Sequence, residues 1–314
     1  MNRRTFLAAG LVLPAMLGGR ARAADTLTVL LEWFVNPDHA PLVVAKELGL
    51  FEAAGLAVEL IAPSDPASVP RLVAAGQADI GIHYQPSLYL DHAAGLPIKR
   101  FGTLVETPLN SITVLADGPV ASLADLKGRT IGYSVSGFEQ VLLAQMLASV
   151  GLGLEDVTLV NVNFALTAAL ASGRVDATIG GFRNFELTQM SLEGHQGRAF
   201  YPEEHGVPAY DELIFVTRSE LVGDDRLPRF LGAVEKGALY LVNHPDEAWG
   251  LFTSAYPDLD DALNRQAWTD TLPRFAKRPA ALDHGRYERF ARFLAASGLI
   301  EAAPDIPAVA VELM

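Results

Sequence analysis

The sequence contains no cysteine. That excludes disulfides, thiolate catalysis, cysteine-ligated zinc, iron–sulfur clusters and a lipid-modified N-terminal cysteine. It does not by itself reveal the compartment. Positive charge is scarce: 24 Lys and Arg stand against 37 Asp and Glu, a formal net charge of −13. Nucleic acid wants a basic footprint and anionic lipid a polybasic patch, so neither is an expected partner. Catalytic motifs are thin. There is no Walker A loop, no G-x-G-x-x-G and no H-E-x-x-H. Gly132-Tyr133-Ser134-Val135-Ser136 begins like a nucleophile elbow but has Ser where the second Gly belongs. The seven histidines form no compact metal pattern, and a surface or hydrogen-bonded role is the better reading for most. The residues give no reason to expect a catalytic group, a metal or a cofactor.

Long apolar runs are missing beyond the first residues. Arg3 and Arg4 precede the apolar stretch Thr5–Leu17, and Ala21-Arg22-Ala23 follows as a small-x-small pattern. This reads as an export signal over 1–23, cleaved after Ala23. Its apolar core is too short to remain as a membrane span. Arg-Arg-x-Phe-Leu is similar to a twin-arginine signal, with ordinary Sec export as the alternative. Half of the chain is hydrophobic, and at roughly 150 residues per domain the length suggests about two domains. An exported, soluble, acidic chain without cysteine suits a periplasmic binding protein or a hydrolase.

The pattern along the chain is an alternation. Strands are expected at Thr26–Trp33, Leu56–Ile61 and Ala78–Tyr84, with helices at Pro41–Phe51, Ser68–Ala75 and Pro86–Ala94. Near residue 111 the pattern restarts. Strands are expected at Ser111–Ala116, Thr130–Ser134, Thr158–Val162, Val175–Gly180 and Glu212–Thr217, with helices at Phe138–Val150 and Phe164–Ala171. From about Arg226 the chain reads as mostly helical. Such spacing predicts parallel sheets with helices over both faces. A short internal match supports two related α/β lobes. Leu72–Ile80 (LVAAGQADI) and Leu170–Thr178 (LASGRVDAT) each stop a helix at Gly, then place x-x-Asp before a strand. The expected division is 24–110 with 218–314 as one lobe and 111–217 as the other. Segments 111–117 and 212–218 are the expected crossovers.

Ligands in open α/β sheets sit at the carboxyl ends of strands. Those ends carry Trp33, Asn36 and His39; Tyr84 and Gln85; Ser136; and Phe182, Asn184 and Glu186. Each cluster also has a plain reading as a helix start, since Asn, Asp and Ser cap, Pro suits the first turn and Glu suits the dipole. Taken together, aromatic rings with amides and one carboxylate suit a planar, nitrogen-rich, uncharged or cationic ligand. Nitrate or sulfonate would want Arg or Lys, and only Arg183 is close in sequence.

The segment Leu30 to Leu56, LLEWFVNPDHAPLVVAKELGLFEAAGL, resembles the opening of the periplasmic pyrimidine-binding proteins of thiamin-precursor transporters. It equally resembles the fungal-type hydroxymethylpyrimidine phosphate synthases, which share their fold. The likeness continues through Pro63–Ile82, Leu126–Tyr133 and Asn161–Gly180. It implies the type II periplasmic-binding-protein fold, two hinged α/β lobes with a ligand cleft between them. It supports Trp33, Asn36 and His39 at the first strand end, and Glu186 as acceptor for a pyrimidine 4-amino group. The synthase branch implies a Lys and a His after the third strand, where this chain has His83 and Ser87, and a Cys-rich cluster where it reads Val207 to Glu212. Without that Lys there is no Schiff base to pyridoxal phosphate. The Gly180-Gly181-Phe182-Arg183-Asn184 run also departs from the more aromatic pattern of the best-known pyrimidine binders.

The resulting expectation is a periplasmic, monomeric solute-binding component of an ABC importer, not an enzyme. It would take hydroxymethylpyrimidine or N-formyl-aminomethylpyrimidine for thiamin biosynthesis or salvage and deliver it to an ABC permease and its ATPase. The alternatives are another flat heterocycle such as riboflavin, a sulfonate- or nitrate-type anion, and an exported or synthase-like enzyme.

Overall fold

Strand–helix alternation from Asp25 onward resolves into two sheets. The computed structural model describes residues 24–313, so the export signal read over 1–23 lies outside the described residues. The strands are β1 (Asp25–Leu30), β2 (Leu56–Ile61), β3 (Ile80–His83), β4 (Ile98–Val105), β5 (Asn110–Leu115), β6 (Thr130–Tyr133), β7 (Thr158–Asn161), β8 (Ala177–Phe182), β9 (Gly197–Phe200) and β10 (Leu213–Arg218). The helices are α1 (Ala40–Glu47), α2 (Leu50–Ala53), α3 (Val69–Ala74), α4 (Gln85–Ala93), α5 (Phe138–Ala148), α6 (Leu166–Ala171), α7 (Glu186–Leu192), α8 (Arg226–Asn243), α9 (Pro245–Ala255), α10 (Ala262–Thr271), α11 (His284–Ala296) and α12 (Ile306–Val309).

The first sheet has strand order β2-β1-β3-β10-β4 and the second β7-β6-β8-β5-β9. The two orders are equivalent. In each, the penultimate strand is antiparallel to its neighbours and is the one that has just crossed from the other sheet: β10 in the first, β5 in the second. The internal sequence match has a tertiary cause. Asp79, just before β3, accepts from the Thr28 backbone N–H on β1 at 3.0 Å. Asp176, just before β8, accepts from the Thr130 N–H on β6 at 2.9 Å. Each carboxylate ties the start of one parallel strand to its neighbour, so the same Asp recurs in both halves.

Helix α8 shows how the C-terminal half is held. Leu227, Phe230, Leu231, Val234 and Leu241 recur at three- and four-residue spacing and are all buried, the stripe of an amphipathic helix. Fully burying each such side chain contributes roughly 1.5–3 kcal/mol. Gly237 lies in the same stripe because α1 comes too close for a side chain: a Cβ there would sit 2.5 Å from the Pro41 carbonyl oxygen.

Three local expectations change. β1 ends at Leu30, so Trp33 lies in the loop beyond the strand rather than on it. The strand expected at Val175–Gly180 is displaced to Ala177–Phe182, which makes Phe182 its last residue. β4 escapes a reading by apolar pattern because Lys99, Arg100 and Gly102 interrupt it. Arg100 is nonetheless fully buried. Its guanidinium donates to Thr103 Oγ1 at 2.9 Å and to the Val311 carbonyl at 3.1 Å, with the Ala281 carbonyl also accepting. These partners meet both terminal nitrogens and offset much of the cost of burying the charge, while Nε has no partner among the described residues. Among the described residues, no helix is long and apolar enough to cross a membrane.

Candidate functional site

The chain leaves β1 through Leu31, whose N–H still bonds the Ile61 carbonyl at 2.8 Å, and then bends. Asn36 is extended and caps a single 3₁₀ turn, Pro37–His39. Its Oδ1 accepts from the Asp38 N–H at 2.8 Å. Its own N–H donates to His39 Nδ1 at 3.2 Å. That occupies the Nδ1 lone pair, so the imidazole carries its proton on Nε2 and donates to Glu32, whose oxygens lie at 3.0 and 3.1 Å. His39 is therefore a buried support that aims Glu32, not a wall of the cavity.

A cavity opens between the two sheets at these strand ends, lined from the first sheet by Glu32, Trp33, Asn36, Asp38 and Tyr84. From the second sheet it is lined by Val135, Phe138, Glu139, Leu166, Gly180, Phe182, Phe185 and Glu186. Tyr84 caps the start of α4 and stacks on Phe138 from the other sheet, with ring centroids 4.7 Å apart and planes within 14°. At the mouth, Trp33 and Phe34 meet Phe164 from the opposite sheet at 4.6 and 4.4 Å. Phe34 is 52% exposed.

Among the described residues, four carboxyl groups line this cavity and no Lys or Arg does. Glu139 Oε2 accepts from the Ser134 N–H at 2.7 Å. Burial pushes its carboxyl up to about 8, with the neighbouring Glu212 and Glu186 adding to the shift against the backbone N–H groups that favour the anion. Glu186, the first residue of α7, turns back so that Oε2 accepts from the Phe182 N–H at 2.5 Å. Burial takes it to about 8 as well, with Asp38 contributing. Asp38 is raised to about 6 by burial, offset by His39. A buried group ionises with difficulty, and more so beside like charges. The nearest cation in sequence, Arg183, is turned away: it pairs with Glu203 at 2.6 Å and lies over the Tyr201 ring at 4.1 Å. Among the described residues, no three His, Asp or Glu side chains are grouped to hold a metal ion.

Of the residues picked out from the sequence, the fold brings Trp33, Asn36, Tyr84, Phe182 and Glu186 to the cavity wall. Four others lie elsewhere. His39 is behind Glu32. Gln85 is fully buried and fully used: its Oε1 accepts from the Asp211 N–H at 2.7 Å and its Nε2 donates to Tyr89 Oη at 3.2 Å. Ser136 lines a separate cleft with Arg71, His83 and Asp91. Asn184 bridges the two sheets instead of facing a ligand. Its Nδ2 donates to Asp38 Oδ1 at 2.7 Å and to Thr271 Oγ1 at 2.6 Å. Glu32, Asp38 and Glu139 were not singled out in the sequence. Glu32 carried one usable signal, a charge inside the apolar run LLEW. Asp38 and Glu139 read as ordinary helix-start acids.

Below the cavity the two crossing segments are tied together. Glu212, just before β10, accepts from the N–H groups of Leu109 and Asn110 at 2.5 and 3.0 Å and from Tyr210 Oη at 3.1 Å. Burial raises its carboxyl to about 7.

A family model described as NMT1/THI5 like matches residues 36–248. A Haemophilus influenzae protein named for thiamine biosynthesis is 49% identical over 303 residues, 96% of each chain. The formylaminopyrimidine-binding protein of Halalkalibacterium halodurans is 36% identical over 252 residues, 80% of this chain and 76% of its own. More distantly, the 4-amino-5-hydroxymethyl-2-methylpyrimidine phosphate synthase of Legionella pneumophila is 26% identical over 85% of this chain and 87% of its own. A Candida albicans protein, described as exhibiting the generic periplasmic binding protein fold, superposes with a TM-score of 0.73 at 20% identity, over 92% of this chain and 96% of that one. The two-lobed architecture is thus the periplasmic-binding-protein fold.

Proposed function

The chain belongs to the NMT1/THI5-like family, and on that premise we propose that it is the solute-binding component of an ABC importer for a thiamin pyrimidine precursor. The ligand is hydroxymethylpyrimidine or its N-formyl-aminomethyl relative. The protein acts in the periplasm after cleavage at Ala23, as a monomer, and passes its ligand to a permease and its ATPase. It does not transform the ligand.

One observation carries this reading: a cavity walled, among the described residues, by aromatic rings and four carboxyl groups and by no basic residue. An aminopyrimidine offers an exocyclic amino group to accept and a flat ring to stack. Trp33 with Tyr84 or Phe182 would hold the ring, Glu186 would accept from the amino group, and Asn36 would meet another edge. A hydrogen bond between neutral groups contributes about 0.5–1.5 kcal/mol and a ring stack about 0.5–1.5 kcal/mol. A nitrate or sulfonate would meet carboxyl groups here and, among the described residues, no cation. The absence of a Lys at the wall also weighs against the pyridoxal-dependent chemistry that the resemblance to the synthases brings up.

The test is thermal unfolding of residues 24–314 against hydroxymethylpyrimidine, its formylaminomethyl relative, thiamin, riboflavin, taurine and nitrate. A ligand at a hundred times its dissociation constant adds about 2.7 kcal/mol, several degrees for a chain this size. A shift with the pyrimidines alone supports the reading. A shift with riboflavin or an anion overturns the ligand, and formation of a pyrimidine phosphate without any permease overturns the non-enzymatic role.

A further inference from the structure

The Gly180-Gly181 pair is the departure in sequence that the fold puts to use. β6 and β8 are adjacent parallel strands, and an acid follows each: Glu139 at the start of α5 and Glu186 at the start of α7. Both acids curl back in a similar way, Glu139 accepting from the N–H of Ser134 just after β6 and Glu186 from the N–H of Phe182 at the end of β8. Both then rest against the two glycines. A Cβ on Gly180 would fall 2.3 Å from Glu139 Oε1, and one on Gly181 would fall 3.4 Å from Glu186 Cγ. Gly180 has φ of +107°, a conformation that residues with side chains rarely adopt. Gly180 makes the room that Glu139 occupies, and Glu186 packs on Gly181 at ordinary contact distance, so that two carboxyl groups share one wall of an aromatic cavity.

We propose that this pair receives the ligand ring as its N-protonated cation, with Glu139 as the specificity residue that supplies the proton and then faces the pyrimidinium as a carboxylate. This rests on the pyrimidine reading above and names the chemical form of the ligand. The step balances without a further reactant. The O–H bond of one carboxyl breaks, an N–H bond forms on a ring nitrogen, and a neutral pair becomes a carboxylate–pyrimidinium ion pair. The surroundings hold the proton in place beforehand. Glu32 and Asp38 face the same cavity from the loop after β1, with His39 committed to Glu32. Tyr84 faces it from α4, and Glu212 with Tyr210 lies at the return to the first sheet. None of these groups neutralises a second anion, and Arg183 is engaged by Glu203. Burial raises both carboxyls to about 8, with Glu212 and Glu186 adding to Glu139 and Asp38 adding to Glu186, so near neutrality the empty pair retains a proton. Two interacting acids titrate as a unit, and the ring nitrogen becomes the third member of that unit.

The test is the ultraviolet spectrum of hydroxymethylpyrimidine bound to residues 24–314, at a pH where the free ring is neutral by its own spectrum. The bound spectrum is expected to match the free compound in acid. Glu139→Gln is expected to return it to the neutral form and to weaken binding at least tenfold, with circular dichroism unchanged. The benzene analogue, which keeps the substituents and lacks ring nitrogens, is expected to bind at least tenfold more weakly than the pyrimidine. A neutral-ring spectrum in the unaltered protein, or equal affinity for the benzene analogue, overturns this inference and leaves the pyrimidine assignment standing. No binding of any pyrimidine overturns both. The wild-type spectrum decides the matter even where Glu139→Gln fails to fold.

Discussion

Replacing Asn184 by Ala tests how the two lobes are held over the cavity. Asn184 follows β8 on the second sheet, whereas Asp38 and Thr271 belong to elements packed with the first. All three are buried, Asn184 to 1% exposure and Asp38 to 3%. Both hydrogens of the Asn184 amide are used, one on Asp38 and one on Thr271. Their loss removes a bond to a carboxylate, about 1.5–3 kcal/mol, and a neutral bond, about 0.5–1.5 kcal/mol. Water entering the gap returns part of this. A net loss of roughly 1.5–3 kcal/mol in the closed arrangement corresponds to about a ten- to hundred-fold weaker dissociation constant, since a ligand that needs closure is penalised by the lost closed population. The folds of the separate lobes do not depend on the contact. The assay is calorimetric titration of a pyrimidine into wild type and Asn184→Ala, with the radius of gyration of the ligand-free forms from solution scattering. An affinity within twofold of wild type, together with an unchanged radius, would refute the idea that this bridge holds the lobes together.

Three further outcomes are expected. Glu186→Ala should weaken pyrimidine binding at least tenfold by calorimetry while circular dichroism stays the same; unchanged affinity would remove Glu186 from the site. Gly180→Ala combines a positive φ with a clash on Glu139, so a loss of at least about 1–3 kcal/mol is expected in a denaturant titration, and an unchanged midpoint would show that neither constraint acts. The raised carboxyls also set a pH trend. Glu139 and Glu186 bind protons more tightly folded than unfolded, near 8 against an ordinary 4.5. Their contribution is therefore full below about pH 4.5 and is lost as pH rises through 8. The ligand-free protein should melt lower at pH 8.5 than at pH 6, and the Glu139→Gln, Glu186→Gln double variant should lose less over that range. A parallel decline in both proteins would refute the assignment.

The architecture was legible because its causes are local and repeated. Short apolar runs bounded by glycine stops mark parallel strands, and the recurring G-x-x-D marks where each new strand is tied to its neighbour by Asp79 or Asp176. β4 escaped because the pattern presumes apolar side chains inside, whereas Arg100 is accommodated by carbonyls from 179 and more residues away. No local pattern carries that information.

The site was legible in part for the same reason. Strand ends are readable, so Trp33, Asn36, Tyr84, Phe182 and Glu186 could be named from position and type. Which side chain at a strand end faces the cavity depends on partners distant in sequence. Gln85 turns to the Asp211 backbone, Asn184 to Asp38 and Thr271, and His39 beneath Glu32. Glu139 looked like any helix-start acid until Gly180 came to rest against it. By itself the sequence determined the two-lobed alternation and an aromatic, acid-bearing set of strand ends, because each follows from short-range periodicity and residue chemistry. Only the tertiary structure decided that four acids share one buried cavity without a cation. That outcome depends on two sheets meeting across a gap, and on desolvation and mutual repulsion that no stretch of chain experiences alone.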